Sequence, residues 1–296
     1  MSDRPQRDTV SGRVYLDLQN RARREGRPTD ELFVLYVLER FLFRLSISSY
    51  RERLVLKGGM LLAVFEERRA TRDVDLLARG VSNEIDEVAA LVREVVAIDV
   101  DDGVVFEADR LDARVIRDDA LYAGARIVVP ARIGRAQHPL HLDVNVGDPV
   151  TPAPVEVEYP ALLTEPFTIV CYPIETVLAE KIITMIERGD ATTRERDFAD
   201  VVLLTRRHVI DAVTLLAAIH ATAEHRQAEV KPLRGVLVTL ASTRQPDWER
   251  FVSRTGVDAP ATYAEAIERI AEFADPILAG DVSAGRWDPV EQTWRR

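Results

Sequence analysis

The sequence predicts an α+β protein, with a mixed sheet between a helical lead and a helical C-terminal half. Three observations carry this. Apolar residues recur at helical spacing over the first fifty positions and again over most of the chain beyond Pro173. Between residues 53 and 146 the texture changes to short β-rich runs. Five prolines (149, 152, 154, 160 and 166) then mark a loop or crossover. The expected organisation is a helical lead over 1–52, a core over 53–168 and a helical domain over 169–296.

In chain order, a first helix is expected from Thr9 to Arg24. A second opens at Pro28-Thr29-Asp30-Glu31, with Thr29 or Asp30 as its cap, and runs to about Leu45. Strands are expected at Leu54–Leu56, Val74–Leu77, Val104–Phe106, Ala113–Ile116, Arg126–Val129 and Leu140–Val146. Helices interrupt them at Met60–Glu67 and Asn83–Val96. Several strands are separated only by turn-length loops, which favours antiparallel pairs over a regular βαβ repeat. A strand at Thr168–Tyr172 follows the proline-rich stretch. Helices are then expected at Ile174–Arg188, Arg196–Thr205, Val209–Ala223, Lys231–Ala241 and Thr262–Phe273.

Composition excludes whole classes. At 47% hydrophobic and 30% charged, the 296 residues are globular rather than disordered. No apolar run approaches a membrane span, the N-terminal residues carry no apolar secretion core, and a cytoplasmic protein without membrane contact is expected. A single cysteine, Cys171, rules out an intrachain disulfide and a thiolate zinc cluster. The net charge of −10 is unevenly spread. Residues 1–57 hold 12 Lys/Arg against 8 Asp/Glu, whereas residues 82–119 hold 4 against 12. Of 39 cationic side chains only Lys57, Lys181 and Lys231 are lysines, which singles those three out.

The chemistry concentrates at one stretch. An apolar strand ends in Lys57-Gly58-Gly59 and passes directly into a helix. Two glycines there let the backbone approach a ligand, and helix N–H groups offer a seat for phosphate oxygens. Fourteen residues on, Asp73 and Asp75 alternate on a strand and so share one face. Two such carboxylates repel each other, and a divalent cation, Mg²⁺ or Mn²⁺, removes that penalty. Asp143, on the apolar strand His141-Leu142-Asp143, is the third candidate ligand. Alone, the glycine pair is a tight turn, the Asp pair an exposed face, and Asp143 a partner for Arg126 or Arg132. Together they form a rarer combination.

That combination resembles the polymerase-β nucleotidyltransferase superfamily, and more narrowly the AbiEii/AbiGii nucleotidyltransferase toxins, which include the mycobacterial MenT proteins. The narrower likeness rests on Lys57-Gly58-Gly59 followed by Leu62, and on Thr71 two residues before the Asp pair. It also rests on Glu180-Lys181-Ile182, Arg188 and Arg196-Asp197-Phe198-Ala199-Asp200-Val201. It covers residues 54–205, and Gly59 stands where many superfamily members carry Ser. It implies a polymerase-β-type sheet whose C-terminal helical half closes over an NTP. It also implies a toxin paired with a cognate antitoxin, moving a nucleoside monophosphate from NTP to RNA, with tRNA 3′ ends modified in relatives.

On that reading Asp73, Asp75 and Asp143 are metal ligands and catalytic residues, with Lys181 and Asp197 as further catalytic members. Lys57, Gly58, Gly59, Thr71, Arg188 and Asp200 bind the nucleotide. Asp197 or Asp200 could orient Lys181, although an ordinary amphipathic helix pair would show the same spacing. A phosphate on Thr71 would put negative charge beside Asp73 and Asp75, a route by which an antitoxin could silence the enzyme. Two alternatives remain: a nucleotidyltransferase acting on a small molecule such as an aminoglycoside, and a catalytically silent binding module. The histidines are too scattered for a zinc site. Trp248, Trp287 and Trp294 either anchor the C-terminal part or offer faces for stacking on bases.

Overall fold

Thr9 starts helix α1 (Val10–Glu25) by accepting the Gly12 N–H at 3.1 Å, and Gly26 ends it in the left-handed conformation at φ 65°. Helix α2 (Thr29–Ser46) begins after Pro28, which serves as N-cap without a side-chain hydrogen bond. Neither Thr29 nor Asp30 is the cap, because both already lie inside the first turn. The structure, a computed structural model, describes residues 7–65, 70–81, 84–118 and 122–295. The chain divides into two units, Met1–Gly147 with Val155–Cys171, and Asp148–Pro154 with Tyr172–Arg296. The helices of residues 1–52, expected as a separate lead, lie within the first unit.

After α2 come β1 (Leu54–Lys57), α3 (Gly58–Leu61), β2 (Val74–Ala78), α4 (Ile85–Val96) and β3 (Val104–Phe106). Next are β4 (Asp112–Asp118), β5 (Tyr122–Val129), β6 (Ala131–Ile133), β7 (Ala136–Gln137) and β8 (Leu140–Val146). Finally, β9 (Val155–Tyr159) and β10 (Phe167–Cys171) complete the unit. The helix expected over Met60–Glu67 is a single turn followed by turns to Phe65; its last two residues lie outside the described ones, as does Asn83.

Seven strands form one mixed sheet in the order β4-β5-β8-β2-β1-β10-β9, with β2–β8 and β1–β10 parallel and the rest antiparallel. Its apolar face sets Val74 and Leu76 beside Leu142 and Val144, and these beside Ile127 and Ala125. All six are buried, and α2 and α4 pack against these strands. Strand β9 falls where a loop was expected. The prolines bracket it without entering it, and Val-Glu-Val-Glu-Tyr is a period-two pattern that pairs with β10 at the sheet edge.

The second unit is helical: α5 (Ile174–Arg188), α6 (Glu195–Arg207), α7 (Ala212–Arg226), α8 (Leu240–Thr255) and α9 (Tyr263–Leu278). A small sheet of β11 (Ile210–Asp211), β12 (Arg286–Asp288) and β13 (Thr293–Arg295) joins them. The helix expected over Lys231–Ala241 does not form. Before α8 takes up the last two of those residues there is only a 3₁₀ turn, Leu233–Gly235, since Pro232 and Gly235 disfavour continuation. Helix α8 begins later, where the Asp190 carboxylate accepts the Thr239 and Leu240 N–H groups at 3.0 and 2.9 Å. The three tryptophans act as anchors: their indoles donate to the carbonyls of Pro260, Thr205 and Phe273. Trp248 and Trp287 are buried, so neither offers a free face to a base.

Candidate active site

Strand β1 delivers Lys57 to its C-terminal end, beside Asp75 in the antiparallel register with β2. Gly58 then turns at φ 68°, a conformation side chains disfavour, and a Cβ there would run into the Asp75 carboxylate. The next residue, Gly59, donates its N–H to Asp75. The expected close approach therefore exists, but what it meets in the structure is the protein's own carboxylate.

The sheet continues this row. Asp75 is the parallel register partner of Asp143 on β8, and Asp143 is the antiparallel partner of Arg126 on β5. Residues in register share a face, so Lys57, Asp75, Asp143 and Arg126 form a line across four strands. Asp73 precedes the first residue of β2 by one position, and the Thr71 hydroxyl donates to its Oδ1 at 2.9 Å. Arg126 grips Asp143 through both ends of its fork, Nε to Oδ1 at 2.8 Å and Nη2 to Oδ2 at 2.7 Å. Arg132, the other cation considered for Asp143, sits on β6 in the separate sheet β3-β6-β7.

Burial is the main force on Asp75, and repulsion from Asp73 and Asp143 adds to it. The Lys57 ammonium and the Gly59 N–H oppose them, yet the carboxyl is still pushed up to about 6. Three carboxylates without sulfur or imidazole are the donor type that hard divalent cations take. Their charge excess fits such an ion. Among the described residues, however, no three His, Cys, Asp or Glu side chains lie within reach of one metal as they stand, with Asp143 turned to Arg126 and Asp73 to Thr71.

In the second unit Lys181 on α5 lies between two carboxylates of α6, donating to Asp197 Oδ1 at 2.7 Å and to Asp200 Oδ2 at 2.8 Å. Both aspartates are buried, and Arg194 stands 3.9 Å from Asp197. Burial raises the Asp197 pKa, but the charge and hydrogen bond of Lys181, with Arg194 and Arg196, outweigh it and leave the carboxyl below its ordinary value. Arg188 closes α5 seven residues after Lys181 and is half-buried. His138 stacks on Phe33 and faces Asp30 at 3.4 Å, a packing role.

The family model for the nucleotidyl transferase AbiEii toxin of Type IV toxin–antitoxin systems matches residues 40–273. The chain belongs to the AbiEii nucleotidyltransferase toxin family. It is thus a nucleotidyltransferase and the toxin class of a toxin–antitoxin pair, for which NTP is the substrate and an antitoxin the partner. No curated protein matches the sequence. A candidate nucleotidyltransferase from H. pylori aligns at 13% identity and TM-score 0.49, over 84% of this chain and 95% of its own. JHP933 from Helicobacter pylori aligns at 12% identity and TM-score 0.47, over 82% and 90%. Among the described residues of this AbiEii-family enzyme, no helix is long and apolar enough to cross a membrane.

Sequence reasoning did not anticipate that Gly58 and Gly59 both serve Asp75. The only available signal was their position one strand away from it. Nor could it foresee that Lys181 would be held by Asp197 and Asp200 together.

Proposed function

We propose that this toxin transfers a nucleoside monophosphate from NTP to the terminal hydroxyl of an RNA, with the 3′ end of tRNA as the acceptor, and so blocks translation. The observation that carries the reading is the register adjacency of Asp75 and Asp143, with Asp73 alongside and the Asp75 carboxyl raised first by burial and then by the charge of its neighbours. Asp73, Asp75 and Asp143 would hold Mg²⁺ or Mn²⁺, which when bound neutralises charge between the carboxylates and the phosphate oxygens.

The acceptor oxygen forms a new bond to the α-phosphorus, and the bond from that phosphorus to the bridging α,β-oxygen breaks. Pyrophosphate leaves with the bond's electron pair. Asp143 takes the hydroxyl proton once Arg126 has released it. Lys57 offsets negative charge at the end of β1, and Gly58 and Gly59 hold Asp75 in place. Thr71 fixes Asp73 through its hydroxyl, so a bulky or charged group on that oxygen would remove this contact. In the second unit, Lys181 and Arg188 on α5 are the cations proposed to meet a nucleotide's phosphates, with Asp197 and Asp200 orienting Lys181.

The test is incubation of the purified protein with total RNA and each α-labelled NTP in turn. Label should enter an RNA band of tRNA size and be lost by 10²-fold or more in Asp75→Ala. Full transfer by Asp75→Ala would overturn the metal-site assignment. Label found only in a small acceptor would move the function to small-molecule modification, and no Mg-NTP binding would leave a silent module.

A further inference from the structure

The hairpin β4–β5 forms one edge of the large sheet, and its exposed face places two like charges together. Arg114 and Arg126 are direct cross-strand partners, an arrangement that costs stability unless anions compensate it. A third guanidinium, Arg110, arrives from the turn just before β4. With Asp112, Val128 and Pro130 these arginines line a cavity of about 340 Å³.

Each arginine now leans on a carboxylate: Arg110 on Glu107 at 2.6 Å, Arg114 on Asp112 at 2.9 Å and Arg126 on Asp143 at 2.7 Å. The Arg110 and Arg114 side chains are 71% and 79% exposed, so those two pairs are solvent-screened and readily exchanged for another anion. A phosphate accepts the guanidinium fork as well as a carboxylate does.

Position identifies the anion. Arg126 belongs to both features, since the guanidinium that lines the cavity also holds Asp143. With strands about 4.8 Å apart, β5 and β4 lie roughly 10 and 14 Å from Asp75 on β2. A polynucleotide whose terminal hydroxyl stood at the carboxylates could carry its preceding phosphates along this line. A polycationic small acceptor would be repelled from it. The basic N-terminal segment presents fewer cations than its count suggests, since Arg40 and Arg44 pair with carboxylates in the interior of the first unit.

We propose that the cavity of Arg110, Arg114 and Arg126 is a phosphodiester subsite, taking the backbone of the acceptor strand behind its reacting end. The proposal rests on the RNA-directed reading above and says where that RNA lies.

The experiment is fluorescence anisotropy with a short labelled single-stranded oligoribonucleotide, titrated at several salt concentrations, beside label transfer to total RNA. The double variant Arg110→Gln with Arg114→Gln should bind the oligonucleotide about tenfold or more weakly at low salt. Its slope of log affinity against log salt should fall by about one to two, with Mg-NTP affinity and melting temperature unchanged. Arg114→Lys should keep most of the slope. Wild-type affinity and slope in the double variant would overturn the subsite, even while label transfer to RNA upholds the reading it rests on. A wild-type protein that labels only small acceptors and shows no salt-dependent oligonucleotide binding would overturn both.

Discussion

In the first unit Asp73, Asp75 and Asp143 stand near one lysine and one arginine, whereas in the second a single lysine bridges Asp197 and Asp200. The aspartates of the second cluster are buried and those of the first are half-buried, yet both clusters bring carboxylates together. Their pKa values nevertheless move in opposite directions. Asp75 is pushed up to about 6, while Asp197 is drawn below its ordinary value. The difference lies in who answers the charge. Lys181 donates to both of its aspartates within 2.8 Å. Asp75, by contrast, receives a backbone N–H and the more diffuse attraction of Lys57, against two like charges. A cluster that satisfies itself is held in place by its own charges, and one left negative is poised for a cation or a proton.

The largest expected effect comes from breaking the satisfied cluster. Lys181→Met leaves two buried carboxylates facing each other, and should cost about 3–5 kcal/mol in a denaturant titration at pH 7. A loss under about 1 kcal/mol would mean that Lys181 is held for function alone. The pH dependence sharpens the point. A carboxyl with a depressed folded pKa contributes stability above its unfolded value of 3.8, and that stability is lost as pH falls through the folded value. The wild-type protein should therefore lose this contribution only below pH 3.8, while the Lys181→Met variant, lacking the depression, should show no such loss from Asp197.

The unsatisfied cluster should respond with the opposite sign. Asp75→Asn abolishes the charge that burial and Asp73 disfavour, yet keeps an oxygen that can accept the Gly59 N–H. It should raise stability at pH 7 by about 1–3 kcal/mol while removing nucleotidyl transfer. A destabilised Asp75→Asn would mean that Lys57 needs this carboxylate more than the carboxylate suffers from its neighbours.

Much of this was readable in the chain because it is local. The cap of α1 is Thr9, three residues from its partner, and the period-two spacing of Asp73 and Asp75 survives any fold that keeps them extended. Long-range pairings were not readable. The Asp190 cap of α8 acts across 49 residues, so a helix was expected nine residues too early, over Pro232 and Gly235. The arginine cavity was hidden for a related reason. Arg110 and Arg114 lie in the most acidic window of the sequence, and only the β4–β5 register brings them to Arg126. Charge counted along the chain is most basic in the N-terminal segment, where folding pairs several of the cations with carboxylates. The proline-rich stretch concealed β9 because proline count outweighed the alternation between the prolines.

Lys231 is the third lysine of the chain and sets the lower end of the scale. It pairs with Glu229 at 2.8 Å, but the two side chains are 51% and 77% exposed. Such a pair is screened by solvent and costs side-chain entropy to hold. Lys231→Ala should therefore change stability by no more than about 0.5 kcal/mol and leave nucleotidyl transfer at the wild-type rate. If rarity alone made a lysine important in this arginine-rich chain, all three substitutions would matter alike. The environments instead predict a steep order, with Lys181 bridging buried aspartates, Lys57 buried beside Asp75, and Lys231 in water. A transfer defect in Lys231→Ala comparable to that of Lys57→Ala would break the order and place Lys231 in contact with a substrate.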